Sequence, residues 1–181
     1  ELMEGYHVHE AARLVRRFIV EDVSRWYVKL IRRRVWVEEN TRDKLAAYVT
    51  LYTVLRTWLA LAAPFIPFIT EKLYQAFVRP AEPDAPPTVH ALDWPVADER
   101  LIDPALEEAM EVLREFAEAV AAARMSVGLK IRQPVRKVIV YTNSEAVAKA
   151  VKELAELAKL VSNEYEVEVR PLSAVTEAVS Y

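Results

Sequence analysis

The chain has 181 residues, 53% of them hydrophobic and 28% charged, with a formal net charge of −3. That is enough apolar material for one ordinary domain, or one bundle with a small appendage, and too much for wholesale disorder. Cysteine is absent and the two glycines, Gly5 and Gly128, stand far apart, which excludes disulfides, thiolate metal sites and a glycine-rich cradle for a nucleotide's phosphates.

The net charge hides an asymmetry. Residues 13–36 hold eight Arg or Lys against two acids, and residues 124–137 hold five cations and no acid. Residues 79–118 run the other way, with eleven acids and three arginines. The distribution therefore describes two basic zones on a mostly acidic body.

In chain order, Val8, Ala12, Val15, Ile19, Val23, Trp26 and Leu30 recur in steps of three and four, which predicts one long amphipathic helix. A wheel at 3.6 residues per turn puts Ile19, Val23, Trp26 and Leu30 on one side. Arg25, Lys29, Arg32 and Trp36 form a second stripe beside it. A second helix is predicted from about Arg42 to Ala62, capped by Thr41 or Asn40 and apolar nearly all round, as in the buried centre of a bundle. Pro64 ends it, and Pro67 opens a third helix to Phe77 with Ile69, Leu73 and Phe77 as its inner face. Residues 79–97 carry five prolines and no helical period, so they read as a long surface connection pinned by Trp94. Asp103 as N-cap, with Pro104 behind it, starts a fourth helix that stops near Gly128. VRKVIVYT (135–142) reads as a strand, Asn143 or Ser144 caps a helix through Leu157 or Leu160, and YEVEVR (165–170) reads as a second strand, parallel to the first.

Candidate chemistry is sparse. His7 and His9 lie two apart on different sides of a helix, His90 has no carboxylate cluster around it, and Glu107, Glu108 and Glu111 read as a solvated helix face. The residues supply no catalytic and no metal-binding set. No uninterrupted apolar run approaches the ~20 residues needed to cross a bilayer, so no membrane partner is expected. The lack of cysteine fits a cytoplasmic protein. The chain starts at Glu1 without a charged-then-apolar leader, which argues against a secretory signal and suggests a fragment of a longer protein.

The stripe over residues 22–36 is different, because its cations repel by roughly 0.2–0.5 kcal/mol per pair at three- and four-residue spacing. Two readings stay open from the residues themselves. One is a solvated face, or a protein-interaction surface, neutralised by acids from elsewhere. The other is a polyanion surface: guanidinium grips phosphate bidentately or stacks on a base, and Trp36 on the same stripe supplies a stacking ring.

DVSRWYVKLIRRRVW, DKLAAYVTLYTVLRTWLALAAPFIPFITEKLYQAF, VHALDWP and LKIRQPVRKVIV occur in this order. Together they resemble the anticodon-binding region of class Ia aminoacyl-tRNA synthetases, over about residues 1–170. RRRVW after SRWY, with LKIRQPVRKV downstream, is most similar to the isoleucyl branch of the archaeal or eukaryotic-like type, with the valyl branch next. The resemblance implies a mainly α fold: an antiparallel helical bundle over 1–100, a long helix completing it over 101–130, and a small α/β element with a β-α-β unit over 131–181. It implies a tRNA anticodon stem–loop as partner, together with the catalytic domain of the same polypeptide. ATP and Mg belong to that missing part, whose HIGH- and KMSKS-type motifs are not in this chain; no cofactor is expected in these residues. Carried over by position, Arg32, Arg33, Arg34 and Trp36 would meet the loop, and Arg25 and Lys29 stem phosphates or the catalytic body. Lys130, Arg132 and Arg136 form the second basic zone, with Arg56 and Lys44 as weaker candidates.

Overall fold

The computed structural model describes residues 1–130, 133–162 and 164–175. It is mainly helical, with one two-stranded parallel sheet, and it divides into two compact units, Glu1–Ala97 and Asp98–Tyr181.

The first unit opens with a continuous helical rod: α1 (Val8–Arg17), a π-helical segment (Phe18–Tyr27) and α2 (Val28–Val35). The single helix expected here is therefore widened in its middle, where i→i+5 bonds replace i→i+4 and slip the 3.6-residue phase. Val23 and Leu30 are buried, as the wheel predicts, with Ala11 and Ile31, while Ile19 and Trp26 are half-buried.

Helix α3 (Arg42–Ala62) is capped by Thr41, whose Oγ1 accepts from the Lys44 amide at 3.1 Å. It runs back along the rod. Trp58 Nε1 donates to the Val15 carbonyl at 2.9 Å, Tyr27 OH to the Ala47 carbonyl at 3.4 Å, and Arg34 reaches Asp43. All-round burial is not what the structure shows. Ala47, Leu59 and Ala62 are buried, but Leu45, Tyr48 and Val49 are exposed, because the first turns of α3 meet the rod on the side that carries Ala47. By length and apolarity α3 could cross a bilayer; here its Arg56 is paired to Glu82 in the loop beyond the next helix.

Pro67 is the first residue of α4 (Pro67–Leu73), which continues as a π turn, Tyr74–Val78. Its inner face is one position later than expected: Thr70, Tyr74 and Val78 are buried, whereas Ile69, Leu73 and Phe77 are exposed. The hydroxyls explain the choice. Thr70 Oγ1 donates to the Ile66 carbonyl at 2.9 Å and Tyr74 OH to the Pro86 carbonyl at 2.7 Å, so neither is buried unsatisfied.

The proline-rich connection is fastened down, though not by Trp94, which is 55% exposed. Val89 enters a core with Leu59, Ala63, Tyr74 and Val78. Glu71 accepts from Gln75 Nε2 at 2.7 Å, Thr88 Oγ1 at 2.7 Å and the Val89 amide at 2.9 Å, and these bonds, Gln75 foremost, hold its carboxyl below the usual range. Arg79 donates to the Pro83 and Ala85 carbonyls.

In the second unit, α5 (Pro104–Ser126) begins where Asp103 Oδ1 accepts from the Ala105 and Leu106 amides, both at 3.1 Å. It ends in a Schellman motif. Gly128 takes φ +71°, its amide bonds Met125 O at 3.1 Å, and the Leu129 amide bonds Arg124 O at 2.9 Å. Strands β1 (Val135–Tyr141) and β2 (Glu164–Arg170) pair in parallel, with Lys137 opposite Glu166 and Ile139 opposite Glu168. The single helix expected between them is two, α6 (Glu145–Glu153) and α7 (Ala155–Ser162), separated at Leu154. Helix α5 packs on both.

Candidate nucleic-acid interface

The last turn of α2 and its C-cap gather four of the nine expected residues, Arg32, Arg33, Arg34 and Trp36. Its cations sit where unpaired carbonyls give the helix end a partial negative charge, worth about 0.3–1 kcal/mol each and enough to offset their mutual repulsion. Trp36 closes the helix, its amide bonding the Arg32 carbonyl at 3.2 Å, and its ring is 77% exposed. The Arg32 guanidinium lies over that ring, 5.7 Å from its centroid. Arg33 and Lys29 are exposed and engage no carboxylate among the described residues. Neighbouring groups displace water from Lys29 and lower its pKa, although the residue as a whole stays open to solvent.

Two members of the stripe are committed elsewhere. Arg25 Nη1 donates to both oxygens of Glu21, at 2.8 and 2.9 Å, one turn back on the same rod. Arg34 donates to Asp43 through Nε at 2.8 Å, and to the Asp43 carbonyl at 3.0 Å. Lys44 Nζ donates to the Val37 carbonyl at 2.8 Å. Arg34 and Lys44 thus hold the turn between α2 and α3, which positions Trp36. Glu38 and Glu39, exposed in that turn, bound the cationic surface on one side. Arg56 is tied to Glu82 and is no part of it.

The second basic zone is thinner than its five cations suggest. Arg124 is buried and donates to the Lys130 and Gln133 carbonyls at 3.1 and 2.7 Å, folding the turn after α5. Lys137 is held by Glu166 and Glu168. Lys130 and Arg136 remain exposed, and Arg132 lies outside the described residues.

The sequence reading assigned nothing to Arg13, Arg16 and Arg17, which are exposed on α1. Their spacing of three and four was the available signal. Near them Glu10 lies 3.4 Å from His7 Nδ1 and 3.6 Å from His9 Nε2. Among the described residues, no group of three or more His, Asp or Glu could hold a metal ion.

The first unit thus presents open guanidinium groups and an exposed indole at one helix end, the residue types that grip phosphates and stack on bases. Residues 1–139 match the family described as "Anticodon-binding domain of tRNA ligase", and the chain belongs to that family. Relatives are isoleucine–tRNA ligases. That of Methanothermobacter thermautotrophicus is 48% identical over 154 residues, covering 85% of this chain and 15% of the relative. That of Methanothrix thermoacetophila is 44% identical over 171 residues (94% and 16%), and that of Pyrococcus abyssi 46% over 167 residues (92% and 16%). The chain thus spans about 15% of the length of the curated relatives it matches.

Proposed function

We propose that this chain is the anticodon stem–loop-binding part of an isoleucine–tRNA ligase, with the last turn of α2 as the loop-facing contact. The observation that carries the reading is the stacked pair Arg32–Trp36 beside the unengaged Arg33 and Lys29. Unpaired loop bases are the usual target of sequence-reading RNA contacts, and aromatic or guanidinium planes are what they stack on. Arg25 and Arg34, already bonded to carboxylates, contribute less to binding than their charge implies. Lys130 and Arg136, with Arg132, supply a further contact from the second unit. The helices of the first unit are read as part of the antiparallel bundle of class Ia anticodon-binding regions, and β1, α6, α7 and β2 as a β-α-β unit.

The complete polypeptide would attach isoleucine to its tRNA in the cytoplasm, with ATP and Mg handled by a catalytic domain of the same chain. The residues here do not fit that pair of ligands: there is no glycine-rich phosphate loop and, among the described residues, no carboxylate or histidine cluster for the ion. A separate anticodon reader has a physical motive. A pocket separates isoleucine from valine by only about 1–3 kcal/mol, so the tRNA must be chosen by other contacts.

The test is a gel shift of the 181-residue chain with an isoleucine anticodon stem–loop and with a scrambled loop on the same stem, at two salt concentrations. Preference for the first supports the reading. Equal weak binding to both sinks it.

A further inference from the structure

Resting on the RNA-binding reading above, we propose a second contact on the outer face of α1, where Arg13, Arg16 and Arg17 take the duplex phosphates of the same RNA hairpin. Buried Ala11 and half-buried Val15, whose carbonyl accepts from Trp58 Nε1, define the side of α1 that faces α3. At 3.6 residues per turn the three arginines fall on the opposite side, and all three are exposed. In α2 buried Leu30 and Ile31 likewise leave Lys29, Arg32 and Arg33 on the outer side.

The usual relief for such a cluster is an acid three or four residues away, and two are present. Glu10 is placed for Arg13, but its carboxylate lies against His7 and His9. Glu21 is placed for Arg17, but it is taken by Arg25. Arg13 therefore repels Arg16 and Arg17 by roughly 0.2–0.5 kcal/mol per pair, and among the described residues no carboxylate bonds any of the three. An anion from outside removes that cost.

The spacing selects the kind of anion. With Glu21 and Asp22 against Arg25, the middle of the rod carries no excess of positive charge, so the rod has two separate cationic ends. From Arg17 to Lys29 is about 18 Å at 1.5 Å per residue, somewhat less through the π segment. One nucleic-acid strand places a phosphate about every 3.4 Å, so the two ends are about five nucleotides apart. A mononucleotide cannot span them; a stem with a loop can. Among the described residues no ring stacks on the guanidinium groups of the α1 end, unlike Arg32 on Trp36, so it suits backbone phosphates rather than bases.

The experiment measures dissociation constants of the 181-residue chain for hairpins with one loop and stems of three to ten base pairs, between 50 and 200 mM salt. For the unaltered chain, affinity and salt dependence should step up once the stem passes about five base pairs. Arg13→Gln/Arg16→Gln/Arg17→Gln should lose that step and about 40-fold of the salt sensitivity, the effect of roughly three phosphate contacts, with loop discrimination unchanged. Arg13→Lys/Arg16→Lys/Arg17→Lys should keep the step, which separates lost charge from misfolding. A glutamine variant that follows the unaltered chain at every stem length overturns the α1 site. An unaltered chain that reads loops but ignores stem length overturns the α1 site alone. One that binds no hairpin at all removes the underlying reading as well.

Discussion

The guanidinium of Arg32 lies 5.7 Å from the centre of the Trp36 ring, one helical turn further on. The indole is thereby held at the helix end with its other face open, so a base that stacks there finds the ring already oriented. Base–aromatic stacking is worth about 1–3 kcal/mol per base. Trp36→Ala should therefore weaken hairpin binding by roughly 5- to 150-fold, and Arg33→Ala/Trp36→Ala by more. Lys149→Ala, an exposed lysine of α6 paired with Glu153, should have little effect. Fluorescence anisotropy with a labelled stem–loop measures all three. Equal losses from Trp36 and Lys149 would remove α2 from the interface.

Arg34 carries the same charge as Arg33 and has a different role, because it is spent on Asp43. Arg34→Ala should destabilise the first unit by about 0.2–1 kcal/mol, the usual value of an exposed ion pair, and Asp43→Ala by a similar amount. Asp43→Ala also frees a cation beside the site, so it should bind RNA as well as or better than the parent chain. Urea denaturation together with the anisotropy assay tests both. Weaker binding by Asp43→Ala would mean that holding the turn outweighs the charge it consumes.

How much of this was legible depended on whether the cause is local. Asp103, Pro104 and Gly128 bound α5 through contacts a few residues long, and sequence reading finds them. The inner face of α4 was misread because 69/73/77 and 70/74/78 have the same period, and the apolar set looked the better one. What reversed the choice was the Pro86 carbonyl that accepts from Tyr74, twelve residues away around a loop with no pattern of its own. The interface divides the same way. The crowding of Arg32, Arg33, Arg34 and Trp36 at one helix end is visible in the string RRRVW. That Arg34 is occupied and Arg33 is not depends on the path of the turn to Asp43. In the second zone, five adjacent cations look alike until burial of Arg124 and the cross-strand acids take Arg124 and Lys137 away.

The proline-rich connection offers a direct contrast. Val89 is 2% exposed and packs on Tyr74 and Val78, so Val89→Ala removes two methyl groups from a closed core and should cost roughly 1.5–3 kcal/mol. Trp94, the larger and more apolar residue, is mostly in solvent, and Trp94→Ala should change stability by less than about 0.5 kcal/mol. Thermal unfolding of the two variants decides it. The reverse order would show that the tryptophan, and not the valine, holds the loop.

Glu82 fixes the other end of that connection, accepting from Tyr52 OH at 2.8 Å and Arg56 Nε at 3.0 Å. Burial of the Tyr52 phenol, then its hydrogen bond to Glu82 and the carboxylate's charge, pushes its pKa up to about 12 from 10. The folded chain thus holds the neutral phenol more firmly than the unfolded chain does. The stability this contributes is complete below pH 10 and is lost as pH rises towards about 12. A spectroscopic tyrosinate titration of the folded chain should contain a late step, near pH 12, that belongs to Tyr52. Tyr52→Phe should abolish that step and make stability less sensitive to pH between 10 and 12. Glu82→Gln keeps an acceptor for the phenol but removes the charge, so it should move the step down without erasing it. If every tyrosine of the folded chain ionises together near pH 10, Glu82 is not the anchor of this loop.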